Sequence, residues 1–280
     1  MTQYFSKPIE ELIKARKSVR TYRDENLEPE LKQKLINYMS GVEGINGKPV
    51  RLVMIDKETA SNGARIGTYG VIKGARHYIA ALTSKGDAAA LVGLGYKLEK
   101  VVLFAASLGL GTVWLGGTFS KGEFAKAAEI KDGEILPIVS PVGYIADKKS
   151  VMERIMRNVA GSANRKEWKD LFFDGEPAKP LDEAGAGAYK NALEAVRLAP
   201  SASNSQPWRV VRRDGRFSFY EVSKLAQMGF DMHLIDMGIA LCHFELAARE
   251  AGLEGSWAFE QSSPSAPDKY MFIAEWRIKN

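Results

Sequence analysis

An α+β fold of two tandem, related halves is what this sequence predicts, because the chain aligns with itself twice and repeats one order of elements. Placing Asn46 on Asn204, an offset of 204 − 46 = 158, lays residues 31–56 on 189–214 without a gap. Lys32, Leu35, Asn46, Pro49, Arg51, Val53 and Asp56 then meet Lys190, Leu193, Asn204, Pro207, Arg209, Val211 and Asp214. Further on, Gly109-Leu110 and Trp114 match Gly252-Leu253 and Trp257 at an offset of 252 − 109 = 143. The offsets differ by 15, as a shorter connection in the second half would produce. Both halves read helix–loop–strand–helix–strand, and such self-similarity is the mark of internal duplication.

Taken in order, residues 8–17 predict a helix, with Pro8 suited to its first turn and Ile9, Leu12 and Ile13 forming an apolar stripe. Arg16 falls on that stripe. A cation carried inward asks for an anionic partner, unless its head snorkels to water, and both readings stay open. A second helix is expected over Pro29–Met39, then strands at Val50–Ile55 and Tyr78–Leu82. Leu98, Val101, Val102, Ala105 and Leu108 give a periodic helix over 96–108, stopped by Gly109. Thr112–Leu115 and Ile135–Ile145 are strand-like, and Lys148 to about Pro180 is charged and partly helical. The Gly-, Pro- and Ala-rich stretch 175–187 marks the division, giving halves 1–175 and 176–280. In the second half Tyr189–Leu198 is a helix and Arg209–Glu221 a hairpin turning at Asp214-Gly215. Met237, Ala240, Leu241, Phe244 and Ala248 mark a helix ending at Gly252, and Tyr270–Trp276 closes as a strand.

Composition excludes more than it identifies. With 45% hydrophobic and 26% charged residues, the 280-residue chain has ample material for a core. The net charge of +5 is spread along the sequence, with no Lys/Arg run of five, so a basic nucleic-acid module has little support. The single cysteine, Cys242, excludes an internal disulfide and any multi-cysteine metal site, and it reads as a packed core thiol. The three histidines, His77, His233 and His243, show neither triad nor metal spacing, so no metal ligands are expected. No apolar run reaches the roughly 20 residues of a membrane span, and no signal-peptide pattern opens the chain. A cytoplasmic protein without a membrane partner is expected.

Three segments carry chemistry. Arg16-Lys17-Ser18-Val19-Arg20 combines paired guanidinium donors with a short hydroxyl, a set suited to phosphate. Pro200-Ser201-Ala202-Ser203-Asn204-Ser205-Gln206-Pro207-Trp208 is stiffened by two prolines and offers amide and hydroxyl groups. A turn capping its own backbone would explain the Ser and Asn residues but says little about Gln-Pro-Trp. Gly109–Gly117 follows a helix and enters a strand, the reverse of a dinucleotide-binding loop. Its Gly116-Gly117 pair lacks side chains and admits a flat ligand close to the backbone.

Together these segments resemble the FMN-dependent nitroreductase family. The resemblance implies α+β subunits that intertwine, with each FMN at an interface between an Arg-rich motif and a Pro-Ser-x-x-Asn loop from opposite subunits. In this chain the first half keeps only the Arg motif, and Val42–Asn46 stands where its loop should fall. The second half keeps only the loop. The resemblance is therefore to a fused, single-chain branch forming an intramolecular pseudo-dimer, expected to be a monomer with one FMN.

Carried over, Arg16, Lys17, Ser18 and Arg20 match the phosphate and pyrimidine-side contacts. Pro200, Ser201, Ala202 and Asn204, with Gln206 nearby, match the covering loop. Leu115, Gly116 and Gly117 match the segment beside the reactive ring edge, and Arg165 or Lys166 matches a late cation on the phosphate. Thr68–Val71 falls where a further flavin contact lies. The activity implied is hydride transfer from NADH or NADPH to flavin N5, then to a nitroaromatic, quinone or similar small flat acceptor in alternating half-reactions. The flavin carries the chemistry, so no catalytic side chain is named. The alternative is a non-catalytic FMN-binding sensor or store.

Overall fold

The structure is a computed structural model, which describes residues 5–147, 164–177, 179–223, 225–227, 229–261 and 270–279. Most of the charged stretch expected from Lys148 to Pro180 lies outside the described residues. In chain order the structure begins with α1 (Ile9–Ala15), α2 (Pro29–Gly41), β1 (Val50–Asp56), β2 (His77–Ser84), α3 (Ala88–Ser107), β3 (Leu110–Thr112), α4 (Lys121–Ala127) and β4 (Glu134–Tyr144). There follow β5 (Phe172–Asp174), α5 (Lys190–Leu198), β6 (Trp208–Arg213), β7 (Arg216–Glu221), β8 (Ala226–Gln227) and β9 (Phe230–Asp231). The chain closes with α6 (His233–Glu250), β10 (Gly255–Ala258) and β11 (Met271–Ile278).

The fold is α+β, with two principal sheets. One has the order β1-β2-β4-β3 and is antiparallel throughout. The other has the order β10-β11-β7-β6-β5, in which only the β5–β6 pair is parallel. Leaving β5 aside, both sheets follow one plan, in which the first, second, fourth and third strands are neighbours. The β6–β7 hairpin turns at Asp214 and Gly215, whose φ values of 48° and 70° suit the tight turn that right-twisted strands need. β5 precedes the expected division at 175 yet pairs with the second sheet, bringing residues 164–174 beside β6.

Between the sheets run α3 and α6, the two long helices, buried along most of their lengths and packed on each other. Asp87 caps α3 by accepting from the Ala90 amide at 3.1 Å. The expected start at residue 96 falls eight residues late. The added first two turns carry Gly93 and Gly95; Gly95 is where α6 crosses, and a Cβ there would run into the Ile235 carbonyl. Gly109 ends the helix as expected, at φ 76°. The strand expected at 112–115 occurs earlier, at 110–112, because Trp114 instead turns its indole toward α3. Cys242 is a buried core thiol, which burial pushes above its ordinary pKa. No helix among the described residues is long and apolar enough to cross a membrane.

Candidate functional site

Arg16 lies just past the C-terminus of α1, a helix held in place by Glu250, whose carboxylate accepts from the Ile9 amide at 2.8 and 3.0 Å. Ile9, Leu12 and Ile13 bury one face of α1, and that face carries Arg16 inward until its side chain is only 9% exposed. The anionic partner is Glu99, fully buried on α3, with 3.9 Å between Arg16 Nε and Glu99 Oε1. Glu99 is shared: His243 Nε2 lies 2.9 Å from the same oxygen, and the Trp114 indole donates to Oε2 at 3.2 Å. His243 Nδ1 lies 2.9 Å from the Ala195 carbonyl, so this histidine is a buried strut between helices.

At 3.9 Å Glu99 balances charge without accepting a hydrogen bond, and Arg16 Nε is buried with no acceptor. A second guanidinium, Arg165, comes in from the segment leading to β5. Burial, then the nearby charges of Arg16 and Arg197, push its pKa down to about 10. Arg197 is occupied by Glu194, at 2.7 Å through each of two nitrogens. Burial also lowers Lys166 and Arg209. The site therefore concentrates cations that repel one another, with a buried N–H still lacking an acceptor. A multivalent oxyanion satisfies both conditions, and a phosphate fits this donor set.

The 199–207 loop meets these cations. Arg165 donates to Asn204 Oδ1 at 2.5 Å and to the Leu198 carbonyl at 3.0 Å. Asn204 Nδ2 donates to the Asn164 carbonyl at 2.6 Å. The Lys166 amide donates to Gln206 Oε1 at 2.8 Å, and Lys166 Nζ reaches the Gln206 carbonyl at 3.3 Å. Ser201 and Ser205 do cap the loop's own backbone, accepting from the Gln206 amide at 2.9 Å and donating to the Ala202 carbonyl at 2.6 Å. Asn204 reaches outward to Asn164 and Arg165, while Gln206 does both, donating within the loop to the Asn204 carbonyl at 3.1 Å and accepting from the Lys166 amide outside it. Ser203, Asn204 and Gln206 all have φ near +50°, at 51°, 55° and 50°. Non-glycine residues held there cost about 1–3 kcal/mol each, and such strain gathers at ligand-binding loops.

The loop is anchored to α6 as well. Asp236 accepts from the Ala202 amide with both oxygens, at 3.1 and 3.0 Å. Burial, and after it the neighbouring Asp231 and Glu221, hold Asp236 well above the usual carboxylate range. Just before α6, Met232 fills the space that a Cβ on Gly116 would need. Leu115 is buried and bridges Val139, and Gly117 is exposed. Ser18 pairs through its backbone with Thr112, and the Val19 amide donates to the Thr112 carbonyl at 2.9 Å.

The structure thus links Arg165, Lys166, Asn204 and Gln206 by hydrogen bonds, brings Arg16 close enough to Arg165 for their charges to repel, and ties Ala202 and Gly116 in through the start of α6. Lys17 is exposed, Ser18 and Pro200 are half-buried, and Arg20 has its Nε in the interior. In the Thr68–Val71 stretch Thr68 is buried and Tyr69 is 73% exposed at φ 49°. Glu99, Asp236 and Arg209 were missed in the sequence. The signal for Glu99 was available, since a carboxylate inside an apolar helix needs a partner as much as Arg16 does.

A family model described as "Putative TM nitroreductase" matches residues 8–248. A crystal structure from Thermotoga maritima, described as a "putative nitroreductase", covers 96% of this chain and 93% of its own at 20% identity and a TM-score of 0.59. That likeness shows a shared fold. A nitroreductase family protein from Clostridium novyi NT covers 53% of this chain and 91% of its own, at 20% identity and a TM-score of 0.42. No curated protein matches the chain. With the family model spanning most of its length, the chain belongs to the nitroreductase family.

Proposed function

We propose that the protein is an FMN-dependent oxidoreductase that binds one flavin per chain between two halves, residues 1–175 and 176–280, and works as a monomer. When bound, FMN supplies the redox chemistry, accepting hydride from NADH or NADPH and passing it to a nitroaromatic, quinone or similar flat acceptor. Arg16 and Arg165 hold the phosphate, with Lys17, Ser18, Arg20 and Lys166 at the margins. Asn204 and Gln206 fix the loop over the isoalloxazine and ribityl chain, and Leu115–Gly117 form the wall at the ring edge.

The observation that carries this reading is that Arg165, hydrogen-bonded to Asn204, feels the charge of Arg16, 188 positions from Asn204 (204 − 16), at a buried cluster short of anions. Two further observations support the fused-halves part. Both main sheets share one strand order, and Gly95 and Gly238, where the long helices cross, repeat the 143-residue offset of Gly109 and Gly252 (238 − 95 = 143).

The test is the visible spectrum of the purified protein before and after FMN addition and desalting, with flavin counted per chain. About one FMN per chain, the stoichiometry of one shared site, is expected, with light scattering giving the mass of a single chain. A stable dimer with two flavins per chain, or a folded protein retaining none, would defeat the proposal. Anaerobic bleaching by NADH or NADPH then separates turnover from mere storage.

A further inference from the structure

Behind the loop anchor lies a second group of ionisable side chains that the flavin reading does not use. Glu221 ends β7, Asp231 ends β9 and His233 opens α6, so three elements converge on one point. One ligand-type atom from each lies within 4.8 Å of the other two. Glu221 is 2% exposed and His233 4%.

The histidine is set as a metal ligand would be. Its Nδ1 lies 2.7 Å from the Ser223 carbonyl, which can only accept, so Nδ1 carries the proton and Nε2 the lone pair. Nε2 is buried without a hydrogen-bond partner, and the nearest carboxylate oxygen paired with it, Asp236 Oδ2, stands 4.0 Å away, beyond hydrogen-bonding distance. An imidazole oriented by a backbone carbonyl on one nitrogen, with the other left for a cation, is the usual outer-shell arrangement of metal-binding histidines. Asp231 repeats the pattern: Oδ1 accepts from the Leu225 and His233 amides at 2.9 and 3.0 Å, while Oδ2 is buried without a partner.

We propose that Glu221, Asp231 and His233 form a binding site for a divalent first-row transition metal such as Zn²⁺. Two carboxylates and one imidazole suit such an ion better than Mg²⁺, which prefers an all-oxygen shell. Around a tetrahedral ion with bonds of about 2.0–2.2 Å the ligand atoms stand roughly 3.4 Å apart. The side chains close by about an ångström on binding, within reach of χ rotation of Glu221. Asp236, committed to the Ala202 amide, stays outside this ligand set. The ion clips the end of β7 to the start of α6.

Isothermal titration of Zn²⁺ into tag-free, EDTA-dialysed full-length protein tests the site, with Mg²⁺ as control and thermal melting as a second readout. One Zn²⁺ per chain is expected, bound at least tenfold more tightly than Mg²⁺ and raising the melting temperature. His233→Gln and the half-buried Asp231→Asn should each weaken Zn²⁺ binding tenfold or more. Circular dichroism establishes that each variant is folded, and Asp231→Asn carries the test should His233→Gln not fold. Absence of saturable Zn²⁺ binding by the folded wild-type chain overturns the site. Undiminished binding in a folded variant does the same, because the ion would then sit elsewhere.

Discussion

Gly95 of α3 and Gly238 of α6 face each other at a crossing so close that neither position has room for a side chain. A Cβ on Gly95 would strike the Ile235 carbonyl, and one on Gly238 would strike the Val92 carbonyl with the Gly95 Cα only 3.0 Å away. The obstructing atoms are backbone, which cannot swing aside as a side chain does. Gly95→Ala and Gly238→Ala should each lower the unfolding free energy by about 1–3 kcal/mol or more, the cost of overpacking. Urea unfolding checks this, and wild-type midpoints in both variants would mean that the helices do not meet here.

Arg16→Ala and Asn204→Ala should each reduce the FMN retained after desalting, although the two residues lie 188 positions apart (204 − 16). Asn46→Ala is the contrast. Asn46 aligns with Asn204 at the 158-residue offset but donates to the Ala89 carbonyl at 2.7 Å, near the start of α3. Its loss should cost about 1 kcal/mol of stability, as for a typical hydrogen bond, with flavin content unchanged.

Glu99→Gln should destabilise the fold by about 3–5 kcal/mol, because removing one partner of a buried pair leaves the other charge uncompensated. Combining it with Arg16→Met should recover part of that loss, since no unmatched buried cation then remains. Chemical denaturation of the two single variants and the double variant measures the coupling.

Inorganic phosphate should raise the melting temperature of the flavin-free protein more than chloride at equal ionic strength. At 100 times its dissociation constant a ligand adds about 2.7 kcal/mol. Arg165→Gln should diminish the effect. An anion raises the pKa of Arg165 above its depressed value of about 10, so binding takes up protons where the free group has lost them. The phosphate effect should therefore weaken as pH rises past about 10.

Cys242 should resist a thiol reagent in the native state and react in denaturant. The thiol is fully buried on α6, and its pKa is raised by burial, so little thiolate forms and none is accessible. Rapid native-state labelling, followed by absorbance, would contradict this packing.

The elements that the sequence made legible are those whose cause is local. The hairpin at Asp214-Gly215, the glycine stops at 109 and 252, and the stripe of α1 each follow from residues within a turn or two of one another. The start of α3 was obscured because Gly93 and Gly95 answer to neighbours distant in the chain. Gly95 faces α6, and a Cβ on Gly93 would crowd the Asn46 side chain. The same split holds at the site. Arg16 announced a need for an anion, but that Glu99, His243 and Trp114 share one carboxylate depends on how α1, α3 and α6 pack. The Asp231–His233 group was invisible to spacing rules because its third member, Glu221, arrives from a separate strand.

The segment 164–174 fastens the Asn204 loop at several points while its own far end is zipped to β6. These attachments act in parallel, so lifting the loop means breaking Arg165–Asn204, Asn204–Asn164 and Lys166–Gln206 together. Freeing the loop is therefore a joint event, in which the β5–β6 pairing and the Asp236–Ala202 bonds to α6 hold it from two sides.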